Sequence, residues 1–219
     1  MKNVIISVYF GSGDTLSMDR LDAALSAAFP DYEIRRAFLS RHIPGTPTLD
    51  RVLKELADHD RVLVQAMLVA RGPTYDALLR QAGTLPVGGP LLDSAAALGA
   101  AMAQQFAPPL VLMAHGAAGL DLTEAADAMP DGVFLAAMEG QPSLASLFPR
   151  LAGKTVHLVP CLLTGGHHLA QDLTRWQQQL EEMGCTVLCH REPLAHAPQI
   201  GAMFVGHLQT ILQEESSCE

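Results

Sequence analysis

The chain has 219 residues, is 49% hydrophobic and 17% charged, and carries a formal net charge of −9. This suffices for a buried core in one domain or two small ones, and the negative balance argues against nucleic acid as a partner. No apolar run is long enough to span a bilayer, and the opening MKNVIISVYFG reads as a first strand rather than a signal peptide, so no membrane association is expected.

In chain order, VIISVYF (4–10), YEIRRAFL (32–39) and RVLVQAML (61–68) are predicted strands. They alternate with predicted helices over 15–29, 48–60 and 75–83, a pattern that favours βαβ units and a parallel sheet. Pro90-Leu91-Leu92 precedes Asp93, a good N-cap for the alanine-rich helix that follows. The stretch 104–109, Gln-Gln-Phe-Ala-Pro-Pro, reads as a hinge. A new apolar run then spans Leu110 to Ala114 and stops at His115-Gly116. Farther on, Leu169, Leu173, Trp176, Leu180 and Met183 recur at helical spacing and form a core stripe.

The second half repeats the landmarks of the first. Gly11 meets Gly116, Ser40 meets Glu139, Val64 to Leu68 meets Val159 to Leu163, and Pro90-Leu91 meets Pro193-Leu194, always about 100 residues on. The expected fold class is therefore α/β with two similar lobes, 1–105 and 106–219, each a parallel sheet flanked by helices. The last helix, Ile200 to Leu212, is free to pack on the first lobe or on a neighbouring copy.

The copies differ at their predicted strand ends, where open α/β sheets bind ligands. Phe10 is replaced by His115, Ser40 by Glu139, and Arg71-Gly72-Pro73 by Gly166-His167-His168. Three consecutive strands of the second lobe thus deliver His, Glu and His to one rim. Two imidazoles and a carboxylate suit Co²⁺, Fe²⁺, Ni²⁺ or Zn²⁺. Gly116, Gly140, Gly165 and Gly166 would let the backbone approach a bulky ligand closely.

Other residues rank lower. His59 reads as solvated, and His157 and His207 as structural. His42, His190 and His196 are candidates to reach the rim. Cys161, Cys185, Cys189 and Cys218 have neither CxxC nor zinc-ribbon spacing and are expected as reduced thiols in the cytoplasm. Residues 106–219 hold 4 Lys/Arg against 12 Asp/Glu, so the second lobe should attract cations. The arginines of the first lobe, Arg35, Arg36, Arg41 and Arg71, remain for solvation or an anionic ligand. No dinucleotide fingerprint, P-loop or nucleophile elbow occurs, which disfavours nucleotide chemistry and a hydrolase built on Ser12 or Ser40.

Taken in order, several stretches resemble the anaerobic sirohydrochlorin cobaltochelatases of CbiK type, class II chelatases related in fold to ferrochelatase. They are Phe10-Gly11-Ser12 with Asp14-Thr15, Arg36-Ala37-Phe38 with Ser40, Gln65 with Gly72 and Tyr75, and Gly89 to Leu92. They continue with His115-Gly116-Ala117, Glu139 with Pro142, Gly166-His167-His168 with Asp172, and Ala202 to Val205 with His207-Leu208. The family's metal-binding and catalytic His, Glu and His fall on His115, Glu139 and His168, with His167 as the alternative third ligand in place of a family Asp. Leu68 stands where the family often has His, and Thr74 where it often has an acid.

The resemblance implies two flavodoxin-like lobes with the active site in the cleft between them. It implies an enzyme of cobalamin biosynthesis that inserts Co²⁺ into sirohydrochlorin, with the metal as substrate and no organic cofactor. Arginines of the first lobe would meet the substrate's carboxylates, and His115 would be the chief base. Fe²⁺ or Ni²⁺ insertion into a related tetrapyrrole and a non-catalytic metal or tetrapyrrole carrier stay open. So does the oligomeric state, a homo-oligomer included.

Overall fold

The computed structural model describes residues 2–40, 46–56 and 61–217; the side chains of 117, 118 and 167–170 lie outside that description. Contacts divide the chain into two compact units, Met1–Leu91 with Ala197–Glu219, and Leu92–His196.

The first unit contains β1 (Asn3–Tyr9), α1 (Thr15–Ala28), β2 (Glu33–Phe38), α2 (Leu49–Lys54), β3 (Arg61–Met67), α3 (Pro73–Ala82) and β4 (Val87–Gly88). Its parallel strands run in the order β2-β1-β3-β4. Val4 to Tyr9 are all buried, which is why a near-continuous apolar run rather than an alternating one makes this central strand. Asp14 caps α1 by accepting the Ser17 amide at 3.1 Å, and Thr48 caps α2. The predicted helix 48–60 ends at Lys54, and 57–60, with His59, lie outside the described residues. The long α8 (Pro198–Ser217) packs on α1, where a Cβ on Gly201 would come within 2.6 Å of the Ala24 Cβ.

The second unit contains α4 (Ala95–Gln105), β5 (Leu110–Asp121), α5 (Thr123–Asp127), β6 (Val133–Gln141), α6 (Phe148–Leu151), β7 (Thr155–Cys161), α7 (His167–Glu182) and β8 (Thr186–Cys189). Its sheet is also parallel, in the order β6-β5-β7-β8. α4, at the end of the sequence-defined first lobe, packs with α5 here, with Gly99 close against Pro130. Leu173, Trp176 and Leu180 of the α7 stripe are buried against Val111, Met113, Phe134 and Ala136, as their spacing predicts.

Both sheets repeat one topology, and the register fixes the correspondence. Tyr9 pairs with Phe38 and Met67, while Ala114 pairs with Ala137 and Cys161. The Leu91 amide donates to the Leu68 carbonyl at 2.9 Å, and the Leu194 amide to the Leu162 carbonyl at 2.8 Å. The third strands therefore correspond one residue earlier than the sequence comparison proposes: Met67 matches Cys161, not Leu162. The following helices agree, since α3 starts after Gly72 and α7 after Gly166. His168 thus corresponds to Thr74 rather than Pro73.

Candidate functional site

The carboxyl ends of β5, β6 and β7 build the candidate site. β5 outruns β7: Ala114 is the last β5 residue paired with β7, and beyond it Gly116 and Asp121 pair with β6. His115 is exposed at this point, midway along β5 and directly after its buried stretch, Leu110 to Ala114. Its Nδ1 lies 3.1 Å from the Gly116 carbonyl oxygen. A carbonyl can only accept, so Nδ1 carries the proton and Nε2 keeps a lone pair for a metal or a proton.

Gly116 holds β5 against β6. It stands opposite Glu139 with φ of 70°, and a Cβ there would lie 1.9 Å from the Glu139 carbonyl oxygen. Glu139 is exposed and lines a cavity of about 660 Å³ with Ser143, Phe148, Asp172, Arg175 and Trp176. Glu139, Asp172 and Glu182 bring three carboxylates to this cavity against the single guanidinium of Arg175, a balance that favours cations. Helical spacing predicts a core role for Trp176, which it has at 6% exposure. The sequence offered no signal that Asp172 and Arg175, on the same helix, would line a cavity with Glu139.

The third expected ligand comes from α7. Gly166 caps its start in an extended conformation, so residues 167 and 168 lie in the first turn. The backbone places both candidates, His167 and His168, directly after the loop that leaves β7; their side chains lie outside the described residues. Among the described residues, no three His, Cys, Asp or Glu side chains group closely enough to hold a metal ion. Cys161, at the end of β7, is fully buried, and burial pushes its thiol up to about 12.

Other expectations change. His190 does not reach the rim. β8 pairs with the first half of β7, Leu158 opposite Cys189, and the His190 ring meets His157, four residues before β7 ends. His196 lies 3.8 Å from Glu192 instead. His207 is structural, its Nδ1–H donating to the Gly89 carbonyl at 2.9 Å. His42 and Arg41 lie outside the described residues.

The first-unit arginines are largely committed. Arg35 pairs with Glu33 at 2.8 Å and with Glu55, and Arg36 with Asp22 and Asp19 at 2.6 and 2.7 Å. Asp22 also accepts from the buried Tyr9 hydroxyl, whose pKa rises through burial and then through that carboxylate. Arg71 lies over the Tyr75 ring at 5.2 Å. Arg35 and Arg36 are therefore already paired with carboxylates of the chain.

The architecture is that of metal chelatases. The structure of SirB from Bacillus subtilis with Fe³⁺ matches with a TM-score of 0.63 at 19% identity, covering 95% of each chain. The structure of CbiX, described as the terminal enzyme for biosynthesis of siroheme in denitrifying bacteria, matches with a TM-score of 0.59 at 21% identity, covering 96% of this chain and 99% of that one. No curated protein matches in sequence. The family model of cobalt chelatase (CbiK) matches residues 3–213, nearly the whole chain. The chain belongs to the CbiK cobalt chelatase family, and its reaction class is metal insertion into a tetrapyrrole. No described helix is long and apolar enough to cross a membrane.

Proposed function

We propose that this protein inserts Co²⁺ into sirohydrochlorin in the anaerobic, cytoplasmic branch of cobalamin synthesis, with His115, Glu139 and His168 handling the metal. The observation that carries the reading is His115 on β5, directly after its last pairing with β7. Its Nδ1–H is held by the Gly116 carbonyl, its Nε2 is left as acceptor, and Glu139 stands across from Gly116 on β6.

Insertion exchanges two pyrrole protons for one divalent ion, so the site must strip water from the metal and accept two protons. The Glu139 carboxylate supplies negative charge that favours a cation and offers oxygen ligands for its lost waters. His115 Nε2 either ligates the ion or takes a proton from the ring as the metal–nitrogen bonds form. His168, or His167 beside it, completes the set from the first turn of α7. A metal that must be passed on calls for modest affinity, which exposed ligands provide better than a closed cage.

The test is anaerobic absorbance of sirohydrochlorin mixed with Co²⁺ and purified protein, beside protein-free and His115→Ala controls. Many protein-dependent turnovers, lost in the variant, support the proposal. A spectral change that stops at one equivalent identifies a carrier and overturns it. Fe²⁺ belongs in the same assay because the similar SirB structure holds Fe³⁺; faster insertion of Fe²⁺ than of Co²⁺ would reassign the metal.

A further inference from the structure

The second unit contains a histidine pair outside the candidate site. His157 Nδ1 and His190 Nε2 are 2.9 Å apart, the ring planes differ by 3°, and the centroids are 5.2 Å apart. That centroid separation equals the N···N distance plus one ring radius on each side. The rings therefore meet end to end in one plane rather than stacking face to face. Two opposed lone pairs or two opposed N–H groups would repel at this distance, so the contact holds one bridging proton.

We propose that His157 and His190 form a single-proton latch on the β8 edge. The pair takes up one extra proton with its hydrogen bond intact, and a second only by parting. In the neutral pair one outer ring nitrogen is bare. The first proton lands there and converts the contact into a stronger, charge-assisted hydrogen bond. The second proton has only the bridging position left, which would put two cations nose to nose.

The surroundings sharpen the effect. The Phe106 ring, at the end of α4, lies 4.2 Å from the His190 centroid and 5.9 Å from that of His157. The segment 104–109, which leads from α4 into β5, contains no ionisable residue. β5 and β8 set Leu110 and Leu188 opposite His157. Glu192 is the carboxylate that favours charged His190, but it is 82% exposed and also faces His196; Arg191 adds a cation next in sequence. Burial and the neighbouring His157 accordingly hold His190 below the usual imidazole range.

Parting would free a lightly held edge. β8 has four residues, and beyond it the chain is tied by the His190 amide on the Leu158 carbonyl of β7 and the Leu194 amide on the Leu162 carbonyl just past β7, both at 2.8 Å. The released segment would be 186–194. The proposal rests on the geometry of this unit and is independent of the metal or the tetrapyrrole.

The experiment is an NMR titration of the full chain with ¹⁵N-labelled histidine from pH 8 to 4.5, with amide exchange followed in parallel. The expected result is two coupled steps separated by more than about one pH unit, with protection of 186–194, corrected for intrinsic exchange, falling about tenfold across the lower step. In His157→Gln, the lower coupled step disappears and His190 titrates in one step, still held below the ordinary range by burial. Two independent, ordinary titrations in the native chain would overturn the proposal, as would unchanged protection through the lower step. The native-chain titration decides the matter even if His157→Gln fails to fold.

Discussion

Gly116 faces Glu139 across the β5–β6 ladder so closely that no side chain fits between them, a Cβ at Gly116 falling 1.9 Å from the Glu139 carbonyl oxygen. The obstacle is backbone, which cannot swing aside, and the φ of 70° adds a second penalty for any L side chain. Gly116→Ala is therefore expected to cost more than about 2 kcal/mol and to displace Glu139. Urea denaturation measures the first, and chelation at limiting metal the second. A variant with native stability and native turnover would show that this approach matters to neither.

His115 is exposed and, among the described residues, bonds to the adjacent Gly116 carbonyl alone, so it does little for the fold. His115→Ala should leave the unfolding midpoint within about 0.5 kcal/mol of native stability. Under the proposed function, it should lower chelation at least about 100-fold. Glu139→Gln keeps the size of the side chain but removes its charge, and its deficit should shrink as metal concentration rises. Turnover measured across a metal series separates the two roles; equal deficits at every concentration would deny Glu139 its part in metal capture.

The order of elements and both parallel sheets were readable because buried parallel strands appear as plain apolar runs between amphipathic helices. The register of the third strands was less so. Matching Arg71-Gly72-Pro73 to Gly166-His167-His168 overlooks that Gly72 and Gly166 are the helix caps, and only hydrogen bonds such as Leu194 to Leu162 reveal the one-residue slip. The His157–His190 contact spans 33 positions through β7–β8 pairing, so no local pattern announces it. Arg35 and Arg36 were candidates for a ligand because their partners Asp19, Asp22 and Glu55 lie on other elements.

Two buried polar side chains in the first unit give opposite expectations. Ser7 and Gln65 face each other in the β1–β3 register, both fully buried, and among the described residues the Ser7 hydroxyl has no hydrogen-bond partner. Ser7→Ala removes an unsatisfied group with little change in volume and should raise stability by about 1 kcal/mol. The Gln65 amide nitrogen donates to Gly89 at 2.9 Å and to Ala66 at 3.1 Å; Gln65→Leu removes a donor from both carbonyls, with His207 still donating to Gly89, and should cost about 1 kcal/mol. Paired urea curves test the contrast. A destabilising Ser7→Ala would show that the hydroxyl has a partner after all, an internal water being the natural one.

Stability should fall in mild acid partly because of His190. Burial, then the nearby His157, disfavour its charged form in the folded protein, so its folded pKa lies below its unfolded value of about 6.5. Between those two values the unfolded chain binds more protons than the native one, and stability must rise with pH there. The contribution is complete above the unfolded pKa and is lost as pH falls from there through the folded pKa. His190→Gln removes the titrating group while keeping a side chain that can hydrogen-bond to His157. Urea midpoints measured from pH 7.5 to 5 should therefore decline less steeply for this variant than for the native protein. Parallel declines would show that His190 titrates alike in both states, and the acid sensitivity would then have to come from another ionisable group.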